Sequence, residues 1–196
     1  MKKIIFIALI ACAFMMACGN RQKTNNGMKE FRKVSIERIN ISAPKLISNW
    51  MLITAGRDTT AFNTMTASWG SMGYLWEKNV AIVFIRPQRY TKEFVDANSI
   101  FTLSFYDDAY REALTICGTK SGRNTNKVQE AGLTPMATPE GSVAFAEANM
   151  IFECRKLYAA PIDSAAFIDT AIVNKLYPNR DFHTVYIGEI LNAYRK

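Results

Sequence analysis

Histidine is nearly absent from this chain and cysteine is scarce. His183 is the one histidine among 196 residues, and Cys12, Cys18, Cys117 and Cys154 are the four cysteines. No Cys-x-x-Cys pair occurs, so neither a four-ligand zinc site nor an iron–sulfur cluster is expected, and no metal is assigned. A serine–histidine–aspartate triad would depend on His183, and no nucleophile-elbow motif accompanies it. Long runs of like charge are missing too, which excludes a nucleic-acid-binding arm of that kind. The longest apolar run, Ile4 to Met16, has thirteen residues. That is too short to cross a hydrocarbon core of ~30 Å as a helix. No internal repeat and no second domain boundary is visible.

The amino terminus is informative instead. Lys2 and Lys3 precede the apolar run, and small Ala17 stands before Cys18. A positive start, a short apolar stretch and a small residue at the cut form a secretory signal that is removed. Met15-Met16-Ala17-Cys18 also resembles the lipobox of bacterial lipoproteins, in which the cysteine is lipidated. Leu9-Ile10-Ala11-Cys12 fits that box better in its first position, but it would leave apolar Ala13 to Ala17 exposed, so Cys18 is preferred. The expectation is an exported chain, lipid-anchored to a bacterial membrane on its periplasmic or cell-surface side. Residues 1–17 are read as the signal, 18–33 as the lipidated cysteine and a polar tether, and 34–196 as the folded domain.

The remaining length suffices for one domain, and 49% hydrophobic with 12% aromatic content is that of a packed protein. The net charge of +7 falls to about +5 without Lys2 and Lys3. This surplus suits anionic surfaces or ligands, but solvated surface cations account for it equally simply. An oxidising compartment permits a Cys117–Cys154 disulfide, whereas two buried free thiols are the commoner outcome.

Strands are expected at 47–55, 79–85, 100–106, within 143–157 and at 184–191. In the third, Phe101, Leu103 and Phe105 alternate with Thr102 and Ser104, the pattern of a half-buried strand. Helices are shorter: 92–97 capped by Thr91, a segment from Asp107 or Asp108 to Cys117 stopped by Gly118, 126–131, and 164–176. Strands do not alternate regularly with helices, so the fold class is mainly β, a closed or partly closed antiparallel barrel with peripheral helices.

Three segments place polar groups or glycines where a plain barrel needs none. Asn63-Thr64-Met65-Thr66-Ala67-Ser68-Trp69-Gly70 offers hydroxyls, an amide and an indole. Arg86-Pro87-Gln88-Arg89-Tyr90-Thr91 sets two guanidinium groups at a helix start, the composition of an anion site. Cys117 to Arg123, followed by Lys127, adds Gly118, Ser121 and Gly122, which permit close backbone approach beside cationic groups. Together they describe a ligand with a phosphate at one end and a flat aromatic body at the other.

Asn63-x-Met65-Thr66-Ala67-Ser68-Trp69, Arg86-Pro87-x-Arg89-Tyr90-Thr91, Ser121-Gly122-Arg123-x-x-x-Lys127 and the closing Tyr186-Ile187-Gly188-Glu189-Ile190 resemble the flavin reductase-like, flavoredoxin-type family. The resemblance spans roughly residues 40–192. It implies an FMN-binding split β-barrel that forms a homodimer, with the flavin near the subunit interface. It also implies that Asn63 to Trp69, with Asn63, Thr64, Met65, Thr66, Ser68 and Trp69, line the flavin. Arg86, Arg89 and Thr91 would hold its phosphate, with Lys127 and Tyr90 nearby, and Ser121 and Gly122 would shape the loop beneath. Thr64 stands where the family has a small alanine. No residue is assigned as catalytic, because FMN itself performs hydride or single-electron chemistry.

The expected function is therefore that of an FMN-binding oxidoreductase, reducing flavin, ferric complexes or a small quinone-like acceptor outside the cytoplasm. Its electron donor and acceptor are undetermined, since nicotinamide cofactors are not expected there. A non-enzymatic FMN electron carrier and a split-barrel binder of haem or another planar ligand are the alternatives. The pair of arginines disfavours the haem binder.

Overall fold

The computed structural model describes residues 28–40 and 42–196. The leader, Cys12, Cys18 and the first part of the tether lie outside the described residues. Packed structure begins inside the stretch read as tether: Met28 and Phe31 are buried, and a short strand follows at once.

In chain order the elements are β1 (Arg32–Val34), α1 (Ala43–Ser48), β2 (Met51–Asp58), β3 (Ala61–Ala67), β4 (Gly70–Leu75), β5 (Lys78–Ile85), α2 (Tyr90–Ala97) and β6 (Ile100–Phe105). There follow α3 (Arg111–Thr119), α4 (Lys127–Glu130), β7 (Pro135–Ala137), β8 (Val143–Phe145), β9 (Met150–Pro161), α5 (Thr170–Leu176) and β10 (Thr184–Arg195). Every pairing is antiparallel. The main sheet runs β3-β2-β6-β9-β10-β5-β4, with β1 added against β10, while β7 and β8 form a separate hairpin. Its two end strands, β3 and β4, are consecutive in sequence and joined through Ser68 and Trp69. Among the described residues no ladder pairs them, which leaves the barrel split at that seam.

Period-two alternation builds the interior. Met51, Ile53 and Ala55 of β2, Phe101, Leu103 and Phe105 of β6, and Phe152 and Cys154 of β9 enter one cluster with Val83, Ile85 and Tyr186. Each large side chain so buried contributes roughly 1.5–3 kcal/mol. The opposite face of β2 and β9 sends Leu52 and Ile151 into a second cluster with Leu114 and Cys117 of α3, Phe145 of β8, Met28 and Phe31.

This second layer changes the reading of β6. Thr102 and Ser104 are fully buried rather than solvated, because β8 and its loop cover that face, and the Thr102 hydroxyl donates to the Val143 carbonyl at 2.6 Å. On the same face of β9, buried Glu153 accepts from the Glu140 amide (2.9 Å), Asn192 (3.0 Å) and the Tyr194 hydroxyl (3.2 Å). Those three donors satisfy a carboxylate that burial would otherwise penalise.

Several boundaries differ from expectation for local reasons. The stretch 47–55 is the end of α1 and then β2, because Pro44 suits a helix start and Trp50 at φ 74° breaks the chain direction. Arg89, not Thr91, is the cap residue of α2, and Thr91 lies in its first turn. α3 runs through Gly118 to Thr119 rather than stopping there; a Cβ at Gly118 would lie 3.2 Å from the Thr66 Cβ, so the glycine serves close packing on β3. α5 covers only Thr170–Leu176, preceded by a separate turn at Ser164–Ala166. β10 continues to Arg195, where its last residues pair with β1 and β9.

Candidate functional site

At the end of β5 the chain turns through Arg86 to Arg89 and enters α2. A cleft of about 350 Å³ opens here, lined by Met65, Arg86, Arg89, Tyr90, Thr91, Ser121, Lys127 and Asp181 among others. Three distant segments of sequence thus meet at one place. The amides of Tyr90 and Thr91 open the helix, where no intrahelical acceptor exists for them.

The three cations in the cleft are not equivalent. Arg89 donates to the Gly118 carbonyl at 2.6 Å, and Lys127, which is buried, donates to the carbonyls of Cys117 and Lys120 at 3.2 Å each. Among the described residues, neither has a carboxylate within ion-pair distance. Burial holds the Lys127 ammonium below its usual range, and Arg89 repels it further, while the neighbouring Cys117 acts the other way. Arg86, by contrast, is neutralised. Its guanidinium pairs with Asp181 at 2.6 Å, donates to the Leu176 carbonyl at 2.8 Å and lies 5.0 Å over the Tyr177 ring. Hydrogen bonds from Gln88 and then Arg86 hold the Asp181 carboxyl low. Arg86 therefore fastens the β9–β10 connection to the cleft, and the uncompensated charge belongs to Arg89 and Lys127.

The floor is set by Asn63, whose amide donates to the Thr91 hydroxyl at 2.8 Å. A Cβ at Gly122 would lie 2.2 Å from the Asn63 Oδ1, so only glycine lets the 121–123 loop approach β3 this closely. Arg123 pairs with Glu93 and lies 4.4 Å over the Tyr90 ring, which braces the rim.

Other candidates of the first segment are directed elsewhere. Thr64 is fully buried, its hydroxyl 2.7 Å from that of Thr54 and 3.2 Å from the Ile53 carbonyl, and it does not line the cleft. The Thr66 hydroxyl donates to the Leu114 carbonyl of α3. Alternation on β3 explains both, since Thr64 and Thr66 share the face opposite Met65. Ser68 and Trp69 line a second, apolar cleft of about 460 Å³ instead, together with Phe84, Phe167 and Tyr177.

Between the clefts stands His183, the single histidine. It is buried, its Nδ1 lies 2.9 Å from the Tyr177 hydroxyl, and its ring packs 5.1 Å from Trp69. Burial, with Arg86 adding repulsion, pushes its pKa down to about 4, so it is neutral near pH 7. Cys117 and Cys154 are buried free thiols in different clusters. Burial raises the Cys117 pKa to about 11, which makes it a poor nucleophile.

Asp181, Tyr177 and the Gly118 carbonyl were not legible as site residues in the sequence. Each acts through a partner about 29 to 95 residues away, such as the Asp181–Arg86 pair, and no local motif marks such contacts.

The flavin reductase like domain family matches residues 44–196. No curated protein matches the chain. Among solved structures, an FMN-binding domain of a flavin reductases-like enzyme from Shewanella baltica is 16% identical and covers 84% of this chain and 76% of its own, at a TM-score of 0.61. Flavoredoxin of Desulfovibrio vulgaris is 22% identical, with 84% and 77% covered and a TM-score of 0.59. An NADH:FAD oxidoreductase from Streptomyces globisporus is 14% identical, with 76% of each chain covered and a TM-score of 0.58. These likenesses agree with the antiparallel split barrel described above. With the family matched over most of its length, the chain belongs to the flavin reductase like domain family.

Proposed function

We propose that this protein is an FMN-dependent oxidoreductase that works outside the cytoplasm. One observation carries the proposal: Arg89, Lys127 and the open amides of α2 converge on a single cleft without a carboxylate to neutralise either cation. Holding two cations together is unfavourable unless an anion joins them, and a phosphate monoester supplies the charge and the acceptor oxygens. The cradle that a Cβ at Gly122 would fill gives such a group room beside Asn63 and Thr91.

In this assignment Arg89, Lys127 and the amides of Tyr90 and Thr91 hold the phosphate. Arg86 positions the β9–β10 connection through Asp181 and Tyr177. Met65 lines the path from the cationic cleft toward Ser68 and Trp69, and Thr64 and Thr66 act structurally. When bound, FMN supplies hydride or single-electron chemistry. The chain's residues bind it, limit water and fix its orientation. No group at the cleft is poised to exchange a proton near pH 7: His183 is neutral, and the Tyr177 hydroxyl is raised by burial. That suits chemistry performed by a cofactor, and equally suits an electron carrier.

The family resemblance supports a homodimer, and the leader supports lipidation at Cys18 and attachment to a bacterial membrane. One preparation tests these points together. The full chain, isolated from membranes, is expected to be yellow and to release FMN on denaturation, whereas an Arg89→Ala/Lys127→Met variant should be colourless. Cys18→Ser should move the yellow protein to the soluble fraction; continued lipid attachment would redirect attention to Cys12. A colourless protein that takes up no FMN, indistinguishable from the double variant, would contradict the assignment. Anaerobic reduction by NADH or NADPH favours a reductase, and response to dithionite alone favours a carrier.

A further inference from the structure

The apolar cleft beside His183 is chemically unlike its cationic neighbour. Its volume of about 460 Å³ lies within the range of small-molecule sites. Trp69, Phe84, Phe167 and Tyr177 bring four aromatic rings to its walls, and no lining residue is charged. The nearest cation, Arg86, sits against the Tyr177 ring and is occupied by Asp181 and the Leu176 carbonyl. The rings are held in place by one another. Tyr177 stacks on Phe182 at 4.8 Å, Phe167 lies 6.0 Å from both, and His183 bridges Tyr177 to Trp69.

Polar groups on the lining are few and of one kind. The Ser48 hydroxyl donates to the Lys45 carbonyl at 3.2 Å, while the Ser68 hydroxyl has no partner among the described residues. Ser68 can therefore donate to a carbonyl oxygen at the edge of the cleft. Indole and phenol faces are electron-rich and stack best on an electron-poor ring. A dinucleotide does not fit this chemistry, because its phosphates would be buried without a cation or a helix start to receive them.

We propose that this cleft binds a flat, uncharged, carbonyl-bearing aromatic molecule of the quinone class. The Trp69, Phe167 and Tyr177 rings hold its plane, and Ser68 donates to one carbonyl. Its role as the seat of the electron acceptor rests on the FMN assignment; the binding itself does not.

Equilibrium dialysis of 1,4-naphthoquinone against FMN-free and FMN-loaded protein tests this. Binding is expected in both forms, weakened about 10-fold by Phe167→Ala, less by Phe167→Leu, and not displaced by NADH. FMN uptake, read separately by absorbance, should be unchanged in both variants. Naphthoquinone binding that is lost on loading FMN would assign the cleft to the flavin ring and overturn the proposal, as would equal affinity in wild type and both variants. Retained naphthoquinone binding in a protein that takes up no FMN would sink the cofactor assignment and leave the cleft's specificity standing.

Discussion

At the scale of single residues, His183 shows how burial decides chemistry. As the chain's one histidine, it makes its contribution to stability readable by pH alone. Its folded pKa of about 4 lies below the unfolded value of ~6.5, so between those values the unfolded chain binds a proton that the folded chain refuses. Its contribution is complete above pH ~6.5 and is lost as pH falls from there toward 4. Carboxylates held low, such as Asp181, add their own loss only below their unfolded range near pH 4. A thermal-unfolding series should accordingly show the midpoint falling between pH 6.5 and 4.5, with a flatter profile for His183→Gln. Equal slopes in the two proteins would show that His183 is not the titrating group. The same logic separates Arg86 from Arg89. Two arginines three residues apart look alike in sequence, yet only one meets a carboxylate, and that carboxylate comes from residue 181.

Among the elements, the hairpin between β4 and β5 turns on two residues. Trp76 and Glu77 both have positive φ, 53° and 59°, the geometry of a tight hairpin that glycine or asparagine adopts at lower cost. The left-handed conformation costs a non-glycine residue roughly 1–2 kcal/mol. Glu77→Gly should raise stability, by less than that amount because glycine adds freedom to the unfolded chain. A lower denaturation midpoint for this variant would mean that the Glu77 side chain contributes something its position does not suggest. Trp76 offsets its own strain by packing 6.4 Å from Tyr158.

Legibility also varied by element. β5, β6 and β10 are dense in β-branched and aromatic residues, and the sequence places them to within a few positions. β3 and β4 were invisible as strands, because Asn63-Thr64-Met65-Thr66 and Gly70-Ser71-Met72-Gly73 carry polar and small residues for the site and the seam. The pattern of β6 was read as half-exposed, because nothing local to it announces the covering hairpin of β7 and β8. The three site segments were visible by composition. The division of their residues between cleft, core and neighbouring cleft was not, since strand alternation and long-range carbonyl contacts decide it.

For the molecule as a whole, curling the sheet and leaving it split between β3 and β4 brings the start of α2, the 121–127 loop and the β9–β10 connection to one end. Two clefts of opposite character result, one cationic and one aromatic, separated by Arg86, Tyr177 and His183. Calorimetric titration of the protein with FMN and with riboflavin, which differ only by the phosphate, tests this arrangement most directly. FMN is expected to bind at least about 100-fold more tightly, roughly 2.7 kcal/mol, with most of that difference abolished by Arg89→Ala/Lys127→Met. Equal affinity for the two flavins, or a preference for FMN that survives the double substitution, would contradict the assignment of the cationic cleft to a phosphate.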